Sequence, residues 1–440
     1  MAPRPRVGRA GKAVTGMSEP TPLDGAYDDL RSPGANPAPT YPGELVVAAD
    51  EEDDGSPGAG PMVAEAESIV NEVPTDIPGR PKSILFVSWR DQANPMAGGS
   101  ELLIHELASG LARRGYDVSL LCGGPVEPNS SYSVTDSGGE FSQYVRAPFH
   151  HARSFRKTDL VVEVCNGMPF LAPLWRRGPV LCLVNHVHTE QWDHRFRPTV
   201  AAIGRAIESK VMPRVHRKNL IVTISPSTVA SLLGLGIPLE RIRQIPQGVA
   251  EPPPLFEKSA TPHFVAVGRL VGYKRLDLLL EMWDQVRPIT GGTLTIVGDG
   301  PARPRLEGTK VEGVVFAGYV PEAQKHRLMS EAWLLLHPAS WEGWGLVITE
   351  AAVRGTPSVG FDVPGVRDAI IDGETGLLAA DPRSFQQEWI CLVQDTALRE
   401  QLGRSGMKRS MSMLWAETVK AFELVAAESV LRARGQSPGA

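Results

Sequence analysis

The 440-residue chain has few cysteines, no long hydrophobic run and no excess of positive charge. Its four cysteines show no paired spacing, and three of them lie in apolar runs, which predicts free thiols rather than disulfides or a metal site. No run approaches the ~20 apolar residues of a membrane-spanning helix. The basic first residues lack the apolar core of a secretory signal. With a formal net charge of −5, we expect a cytoplasmic globular protein that binds no nucleic acid.

Residues 1–80 contain no Trp, Phe, Cys or His and are rich in Pro, Gly and acidic residues, including a run at 50–54. Such a segment buries too little apolar surface to offset the entropy lost on ordering. We therefore predict a disordered N-terminal extension. A docking tail, or a translation start further along the chain at Met17, are the alternatives.

From residue 83 onwards, strand and helix patterns alternate. A continuous apolar run at 84–87 predicts a buried strand, the helical repeat at 101–114 predicts a helix, and 118–122 predicts a second strand. Such βαβ units build parallel sheets. Further strands are predicted at 160–165, 180–185, 220–224 and 241–245, with helices near 199–214 and at 226–234. Residues 125–157 are polar and irregular, and we interpret them as a surface excursion.

A proline cluster at 252–254 interrupts this alternation, which then restarts. Strands are predicted at 264–267, 294–297, 314–317, 333–337 and 358–361, and helices at 276–286, near 302–307, and at 322–331 and 346–354. The predicted fold class is α/β, with two doubly wound Rossmann-like domains facing a cleft, where ligands bind at the carboxyl ends of strands. The predicted segments are the extension 1–80, a first domain 81–250, a linker 251–262, a second domain 263–413 and a C-terminal helix and tail 414–440.

Two glutamates separated by seven residues, Glu342 and Glu350, form the strongest motif. Glu342 precedes a helix that Gly345 and Leu346 open, and Glu350 lies about one turn inside it. Free amides and the positive dipole end of a helix suit a diphosphate, and the flanking carboxylates can accept hydrogen bonds from sugar or ribose hydroxyls. The alternative is a helix with one favourable acid in its first turn and another facing solvent. The Gly-Trp-Gly sequence between the glutamates favours the site.

Two cations lie near the end of the first strand of the second domain. Arg269 follows the strand directly, and Lys274 precedes the next helix. Cations at this spacing can bracket the two phosphates of a leaving nucleotide and stabilise the charge that develops as the glycosidic bond breaks. Two solvated surface cations are the alternative.

Glycine-rich turns follow two other predicted strands. The turn from Gly298 to Gly300 is of a common kind and is weak evidence by itself. Gly98 and Gly99 lie at the first strand-to-helix junction, where glycines let the backbone approach a phosphate, although a simple loop with a helix cap is equally consistent. The junction lacks the Gly-x-Gly-x-x-Gly fingerprint, which excludes a dinucleotide-dependent dehydrogenase or a methyltransferase.

Two histidines, His186 and His188, follow another predicted strand. No carboxylate or cysteine cluster completes a metal site with them. We interpret the loop as lining the cleft, with one histidine on a sugar hydroxyl. Two loop histidines without a role in binding are the alternative.

With these motifs the sequence resembles glycosyltransferase family 4, whose members have the GT-B fold. The resemblance extends from about residue 83 to 415 and is strongest over 264–378. The family's second domain typically contains Gly-Arg-Leu, a following Lys, Gly-x-Gly and the two-glutamate motif. This sequence has Gly268-Arg-Leu270, Lys274, Gly298-Asp-Gly300, and Glu342 with Glu350.

The resemblance implies a role for each residue. It places Arg269 and Lys274 on the donor diphosphate, Glu350 on the ribose and Glu342 near the transferred sugar. His188 resembles the first-domain histidine that approaches the sugar, with His186 as its competitor, and 363–368 resembles the glycine loop that contacts the sugar. The predicted catalytic residues are Glu342, His188, Arg269 and Lys274. The predicted donor-binding residues are Gly98, Gly99, Arg269, Lys274, Gly298, Glu342, Gly343, Gly345, Leu346, Glu350, Gly365 and Asp368.

The sequence departs from the family pattern at two positions. Asp368 stands where the family often has Glu, which is expected to affect sugar preference. Gln247 stands where the family usually has Asn before Gly, and we expect little cost because the amide is kept. The stretch 415–433 is predicted to be a helix that packs across the first domain, as is usual in this fold.

The resemblance implies a retaining, metal-independent transfer of a hexose or related sugar from a nucleotide diphosphate sugar, with no cofactor. The leaving phosphate would take the acceptor proton, and the absence of Asp-x-Asp agrees with metal independence. The acceptor, whether glycan, lipid or small molecule, is not readable. An inactive donor-binding partner subunit and a nucleotide-sugar epimerase on the same fold are the rival functions, and neither is favoured by these residues.

Peripheral contact with the inner face of the membrane is a further expectation. Many enzymes of this kind act on lipid-linked acceptors, and the cationic segment 195–218 would meet anionic lipid. A solvated helix face is the simpler interpretation of those charges.

Overall fold

The computed structural model of the chain describes residues 77–94, 97–189 and 191–436. The predicted extension 1–80 therefore lies almost entirely outside the described residues. Within the described part, thirteen strands form two sheets in which every strand pair is parallel. No helix of this part is both long and apolar enough to cross a membrane.

The first sheet has seven strands in the order β3-β2-β1-β4-β5-β6-β7. Its central strands are buried on both faces, which explains their continuous apolar runs. The strands are β1 Ser83–Val87, β2 Asp117–Cys122, β3 Ser133–Asp136, β4 Leu160–Cys165, β5 Val180–Val184, β6 Ile221–Thr223 and β7 Ile242–Gln244. The helices that connect them are α1 Gly99–Arg113, α2 Ser142–His150, α3 Trp192–Arg195, α4 Pro198–Ala206, α5 Met212–Val215 and α6 Pro226–Gly234.

The second sheet has six strands in the order β10-β9-β8-β11-β12-β13. The strands are β8 His263–Val267, β9 Thr293–Val297, β10 Val314–Gly318, β11 Leu334–His337, β12 Ser358–Phe361 and β13 Gly376–Ala379. The helices are α7 Leu276–Thr290, α8 Arg303–Gly308, α9 Glu322–Glu331, α10 Leu346–Ala352, α11 Val366–Ala369, α12 Pro382–Gln394, α13 Thr396–Met411 and α14 Trp415–Ala433. The two sheets confirm the predicted pair of Rossmann-like domains, while the exact domain boundaries stay a prediction.

One prediction for the first domain is wrong. Residues 125–157 are not irregular, because they form β3, α2 and a π-helical turn at His151–Phe155. The pattern was obscure because β3 is a short strand at the sheet edge and α2 exposes apolar side chains to solvent. The helical stretch predicted near 199–214 is confirmed, because α4, a π-helical turn at Ile207–Val211 and α5 follow one another without a break.

The C-terminal helix α14 packs on the first domain, as predicted. Gly110 of α1 lies against Val419 of α14, and Phe422 stacks on Phe86 of β1 at 5.9 Å. Glu423, which is 1% exposed, accepts hydrogen bonds from Arg114 and from the Tyr116 hydroxyl. The chain thus returns from the second domain and completes the core of the first.

The cysteine prediction is confirmed. Cys122, Cys165 and Cys182 are buried free thiols in strands, and Cys391 is a free thiol on the exposed side of α12. Burial raises the pKa of the Cys165 and Cys182 thiols, so these side chains are neutral core residues.

Candidate active site at the facing strand ends

Three residues meet at the carboxyl ends of β8 and β11, which are neighbours in the second sheet. Two of them, Lys274 and Glu342, were predicted from the sequence, and the third, His337, was not. Lys274 ends a short 3₁₀ turn, Gly272–Lys274, and His337 is the last residue of β11. One oxygen of Glu342, Oε1, accepts hydrogen bonds from Lys274 Nζ and from His337 Nε2, the latter at 3.0 Å. A carboxylate has no proton to donate, so His337 Nε2 must carry one. The sequence analysis missed His337, although its position at a predicted strand end was a usable signal.

The cluster holds its charges in a fixed arrangement. Burial alone would raise the pKa of Glu342, but the Lys274 ammonium and the His337 hydrogen bond outweigh it and hold that pKa at about 2. Burial lowers the pKa of His337 below 6.5, so its imidazole is neutral. At neutral pH the site therefore presents a carboxylate locked between an ammonium and a neutral imidazole.

Arg269 lies beside this cluster. Gly268, Arg269, Lys274, His337 and Pro338 line one recess at the strand ends, which brings the two predicted phosphate-binding cations together. Arg269 Nη2 lies 3.5 Å from the Tyr273 hydroxyl oxygen. Arg269 and Lys274 therefore line the same recess.

Gly298 lies against the backbone of the loop that carries Arg269. The backbone there has a φ of +128°, and a Cβ atom would collide with the Gly268 carbonyl oxygen. Leu270 N also donates to Asp299 O at 2.9 Å. Gly298 therefore allows the two strand-end loops to pack closely.

The second glutamate of the motif has a different partner. Glu350 lies one turn inside α10, which Gly345 and Leu346 open as predicted, and it is 9% exposed. Lys325 Nζ of α9 lies 3.1 Å from Glu350 Oε1 and 2.8 Å from Glu322 Oε2. Burial raises the pKa of Glu350, and the ammonium of Lys325 opposes that rise. The two glutamates are thus separate sites, each with its own lysine.

On the first-domain side, the Gly98-Gly99 loop is held from two directions. Gly98 N donates to Glu101 Oε2 at 2.8 Å, which makes Gly98 the cap of α1. Gln247 Nε2 donates to Gly99 O at 2.8 Å, and Gln247 is 4% exposed. The side-chain amide at position 247 thus holds the loop, while the small cost expected of Gln in place of the family's Asn stays a prediction.

A polar network that sequence reasoning missed lies next to this loop. Ser100 Oγ accepts hydrogen bonds from Asn166 Nδ2 at 2.6 Å and from Asn185 Nδ2 at 2.8 Å. Asn166 and Asn185 follow directly on β4 and β5, which are neighbours in the sheet. The start of α1 is therefore tied to the adjacent strand ends.

The two predicted histidines lie in the cleft-facing loop after β5. The His188 backbone N–H donates to Glu208 Oε1 at 2.7 Å, and His188 Nδ1 lies 3.4 Å from the same oxygen. His186 bonds Gln191 at 3.1 Å, and burial together with the neighbouring His188 lowers the pKa of His186 to about 3. The Glu208 carboxylate therefore lies beside both the backbone and the ring of His188.

Glu208 was also missed. It is 1% exposed and accepts a further hydrogen bond from Trp192 Nε1 at 2.9 Å. A signal was available, because Ala201, Gly204, Glu208 and Met212 form a buried stripe at helical spacing in which one member is acidic.

Aromatic rings connect the two domains beside Glu342. Tyr273 stacks on Trp341 at 4.3 Å, Trp341 lies 5.4 Å from the ring of His186, and His186 lies 3.8 Å from that of His188. Gly343 faces Asn185 and His186 closely. The segment that carries Glu342 is therefore in direct contact with the first domain.

Asp368 makes a second contact across the cleft. Its carboxylate accepts from Gly365 N at 3.2 Å and, through both oxygens, from Ser227 N of α6 at 3.3 Å. Gly365 in turn lies against the Glu342 backbone, and Glu342 N donates to Pro364 O at 3.1 Å. A chain of contacts thus leads from the first domain through Asp368 to Glu342.

All the predicted site residues consequently lie in two groups. The first-domain group contains Gly98, Gly99 and the two histidines, and the second-domain group contains the remainder. No group of three or more His, Cys, Asp and Glu side chains within 77–94, 97–189 and 191–436 is arranged to hold a metal ion.

Comparisons with known proteins agree with this architecture. A family model described as Glycosyltransferase Family 4 matches residues 97–251, and one described as Glycosyl transferases group 1 matches residues 261–395. The 2-deoxystreptamine N-acetyl-D-glucosaminyltransferase of Streptomyces fradiae is 29% identical over 198 residues, which are 40% of this chain and 46% of that enzyme. The match therefore spans about half the length of that relative.

Two longer matches cover most of the described residues. Glycogen synthase of Mycobacterium tuberculosis is 24% identical over 387 residues, which are 76% of this chain and 92% of that protein. The solved structure of HepE from Anabaena in complex with UDP-glucose superposes with a TM-score of 0.61 at 16% identity, covering 78% of this chain and 98% of that one. The two family models, the two parallel sheets and the motif residues lead to one conclusion: this chain is a glycosyltransferase that belongs to family 4 and has the GT-B fold.

Proposed function

We propose that the enzyme transfers a hexose or related sugar from a nucleotide diphosphate sugar with retention of configuration and without a metal ion. The observation that carries this proposal is the recess where Arg269 and Lys274 lie together beside Glu342. Two cations at one strand edge suit a diphosphate, and they stabilise the negative charge that grows on it as the sugar leaves. The complex of HepE with UDP-glucose makes uridine diphosphate sugars the first donors to test.

In this proposal the Lys274–Glu342 ion pair opens when the donor binds. The diphosphate takes Lys274 and Arg269, and Glu342 then turns to the hydroxyls of the transferred sugar. In the unliganded site the pKa of Glu342 is about 2, so Glu342 enters the complex as a carboxylate that can accept a hydrogen bond and place a negative charge beside the developing oxocarbenium ion. Glu350, which lies behind a separate lysine, takes the ribose hydroxyls.

The reaction itself follows on one face of the sugar. The bond between the anomeric carbon and the phosphate oxygen breaks, the acceptor oxygen bonds to the same carbon, and the acceptor proton passes to the released phosphate. No protein nucleophile is needed. His188, oriented by Glu208, is placed to bond a sugar hydroxyl from the first-domain side.

The test is a thermal-shift series with nucleoside diphosphates and nucleotide sugars, with and without EDTA. A ligand that binds only the folded chain raises the melting temperature. We expect a rise with one nucleoside diphosphate that EDTA leaves unchanged and that Lys274→Ala abolishes. Arg305→Ala is the matched control, since Arg305 is a 63% exposed cation of the same domain.

Release of nucleoside diphosphate from the sugar donor then separates the alternatives. Binding without any turnover, even with a panel of glycan, lipid and small-molecule acceptors, would favour an inactive donor-binding subunit. The absence of a shift with every nucleotide would contradict the donor site. A shift that EDTA removes would contradict metal independence.

A further inference from the structure

One side of the first domain exposes a ridge of apolar side chains. Phe141, Val145 and Phe149 are 67%, 69% and 72% exposed, and their spacing of four residues places them on one face of α2. Leu174, in the 3₁₀ turn Ala172–Leu174, is 69% exposed. These are four of the five most exposed large apolar side chains in the described part of the chain. We call these four residues the apolar ridge.

The helix and the 3₁₀ turn that carry the ridge are neighbours in the fold. The opposite face of α2, with Gln143 and Ala147, is buried against the sheet, so the ridge must point outwards. The ring of Trp175, next to Leu174, packs on His151 at 5.1 Å, which brings the 3₁₀ turn beside the end of α2. Solvent-facing apolar residues at helical spacing bury no surface within the folded chain and therefore call for an external partner.

Cations surround the ridge. Arg146, Arg153, Arg156, Lys157 and Arg177 are all exposed. None of them is ion-paired with a carboxylate of residues 77–94, 97–189 or 191–436. Residues 141–158 include no Asp or Glu. Glu140 and Asp159 flank this stretch, so the charge around the ridge is predominantly positive, in a chain whose net charge is negative.

The neighbouring helices continue this character on the same side of the sheet. Val161 and Cys165 of β4 are four residues apart and therefore point to the same face of the sheet. On that face Val161 packs in one apolar cluster with Ala147 of α2, and Cys165 packs in another with Met212 of α5. The run from α4 to α5 therefore covers the same face as α2. It exposes Ile203 at 60% and the cations Lys210, Arg214, Arg217 and Lys218. The cationic segment 195–218 noted in the sequence is thus an extension of this surface.

We propose that the apolar ridge and its surrounding cations dock on a bilayer surface that contains anionic lipids. The ridge would enter the region between headgroups and acyl chains, while the guanidinium and ammonium groups meet lipid phosphates. A bilayer supplies an apolar layer under a continuous anionic layer, which is the order of chemistries that this surface presents. A protein partner would instead need an apolar centre with an acidic rim of matching shape. Docking in this manner does not require transfer activity and stands apart from the proposed reaction.

The experiment is flotation of the purified full-length chain with phosphatidylcholine vesicles, with and without phosphatidylglycerol. We expect binding only when phosphatidylglycerol is present, and weaker binding at high salt because ions screen the cations. Val145→Ser with Phe149→Ser should abolish it. Arg153→Gln with Arg156→Gln should weaken it by about fivefold for each cation removed.

Controls of the same kind lie on the second domain. Tyr319→Ser removes a side chain that is 83% exposed, and Arg404→Gln removes a cation that is 72% exposed; neither should change binding. Equal melting temperatures show that each variant is folded. Equal vesicle binding by the ridge variants and the wild type would overturn the proposal. Sedimentation velocity without vesicles tests for the other result that would overturn the proposal. In that result the wild type binds no vesicles but associates with itself, and Val145→Ser with Phe149→Ser removes the self-association.

Discussion

The charge cluster at the cleft can be tested by replacing Glu342 with Gln, which removes one charge and keeps the shape of the side chain. The pKa of Glu342 in the folded chain is about 2, against an ordinary value of 4.5. That difference corresponds to roughly 3 kcal/mol of stability at neutral pH. The Glu342 and Lys274 side chains are only 15% and 14% exposed, so solvent screens their interaction little.

The pH dependence follows from the sign of this difference. Because folding lowers the pKa of Glu342, its contribution is complete above about pH 4.5 and disappears as the pH falls towards 2. Between pH 5 and pH 3 the contribution should fall by roughly 2 kcal/mol. Gln has no such titration, so the stability deficit of Glu342→Gln should shrink by the same amount over this range.

The assay is guanidinium unfolding of both proteins from pH 7 down to pH 3, followed by tryptophan fluorescence. Glu307→Gln is the control, because Glu307 pairs with Arg303 on the surface and is 43% exposed. It should change the free energy of unfolding by less than about 1 kcal/mol at any pH. A deficit of Glu342→Gln that stays constant from pH 7 to pH 3 would refute the reasoning, since the ion pair would then contribute nothing.

Three further predictions concern the same cleft. Glu342→Gln should bind nucleoside diphosphate at least as tightly as the wild type, because Lys274 loses its competing partner, while the rate of sugar transfer falls by about a hundredfold. Calorimetry measures the binding and product release measures the transfer, and weaker nucleotide binding would contradict the competition for Lys274. Asp368→Asn should lower kcat by about tenfold with unchanged nucleotide affinity, because it weakens the contact to Ser227, whereas Asp362→Asn at a 49% exposed position should not. Both are measured by steady-state kinetics, and equal kcat values would exclude a role of Asp368 in coupling the two domains. Gly298→Ala should lower the melting temperature by several degrees, because the alanine Cβ would collide with the Gly268 carbonyl oxygen. The Cβ of Gly308→Ala meets open space and should leave the melting temperature unchanged, and equal melting temperatures of the two variants would refute the close packing at Gly298.

Several elements follow from local sequence patterns alone. The predicted ranges 160–165, 226–234, 322–331, 358–361 and 415–433 agree with the structure to the residue. In each, the apolar period and the flanking Pro, Gly or polar residues act within one element, so no distant contact is needed to decide it. The two Rossmann-like domains follow from the same patterns, because a repeated strand–helix alternation has few compact solutions.

The segment around α2 shows why other elements were missed. Its outward face is apolar, which removes the contrast between buried and exposed positions on which helical periodicity depends. Residues 142–150 therefore looked irregular, although a regular helix forms there. The same departure from the ordinary pattern is what points to an external partner.

Arg269, Lys274, Glu342 and Glu350 could be singled out from the sequence because each belongs to a short motif next to a predicted strand end or helix start, which is a local property. Their partners were missed, and which residues pair is not visible in the motifs themselves. His337 joins Glu342, Glu208 joins His188, and Ser227 meets Asp368 across 141 positions of the chain. Those pairs depend on how strands order in a sheet and how two domains face each other. By itself the sequence determined the elements, the family and the candidate residues, since these rest on short-range patterns. Tertiary packing alone decided which charges are neutralised and by what, since that rests on distances between different strands, helices and loops.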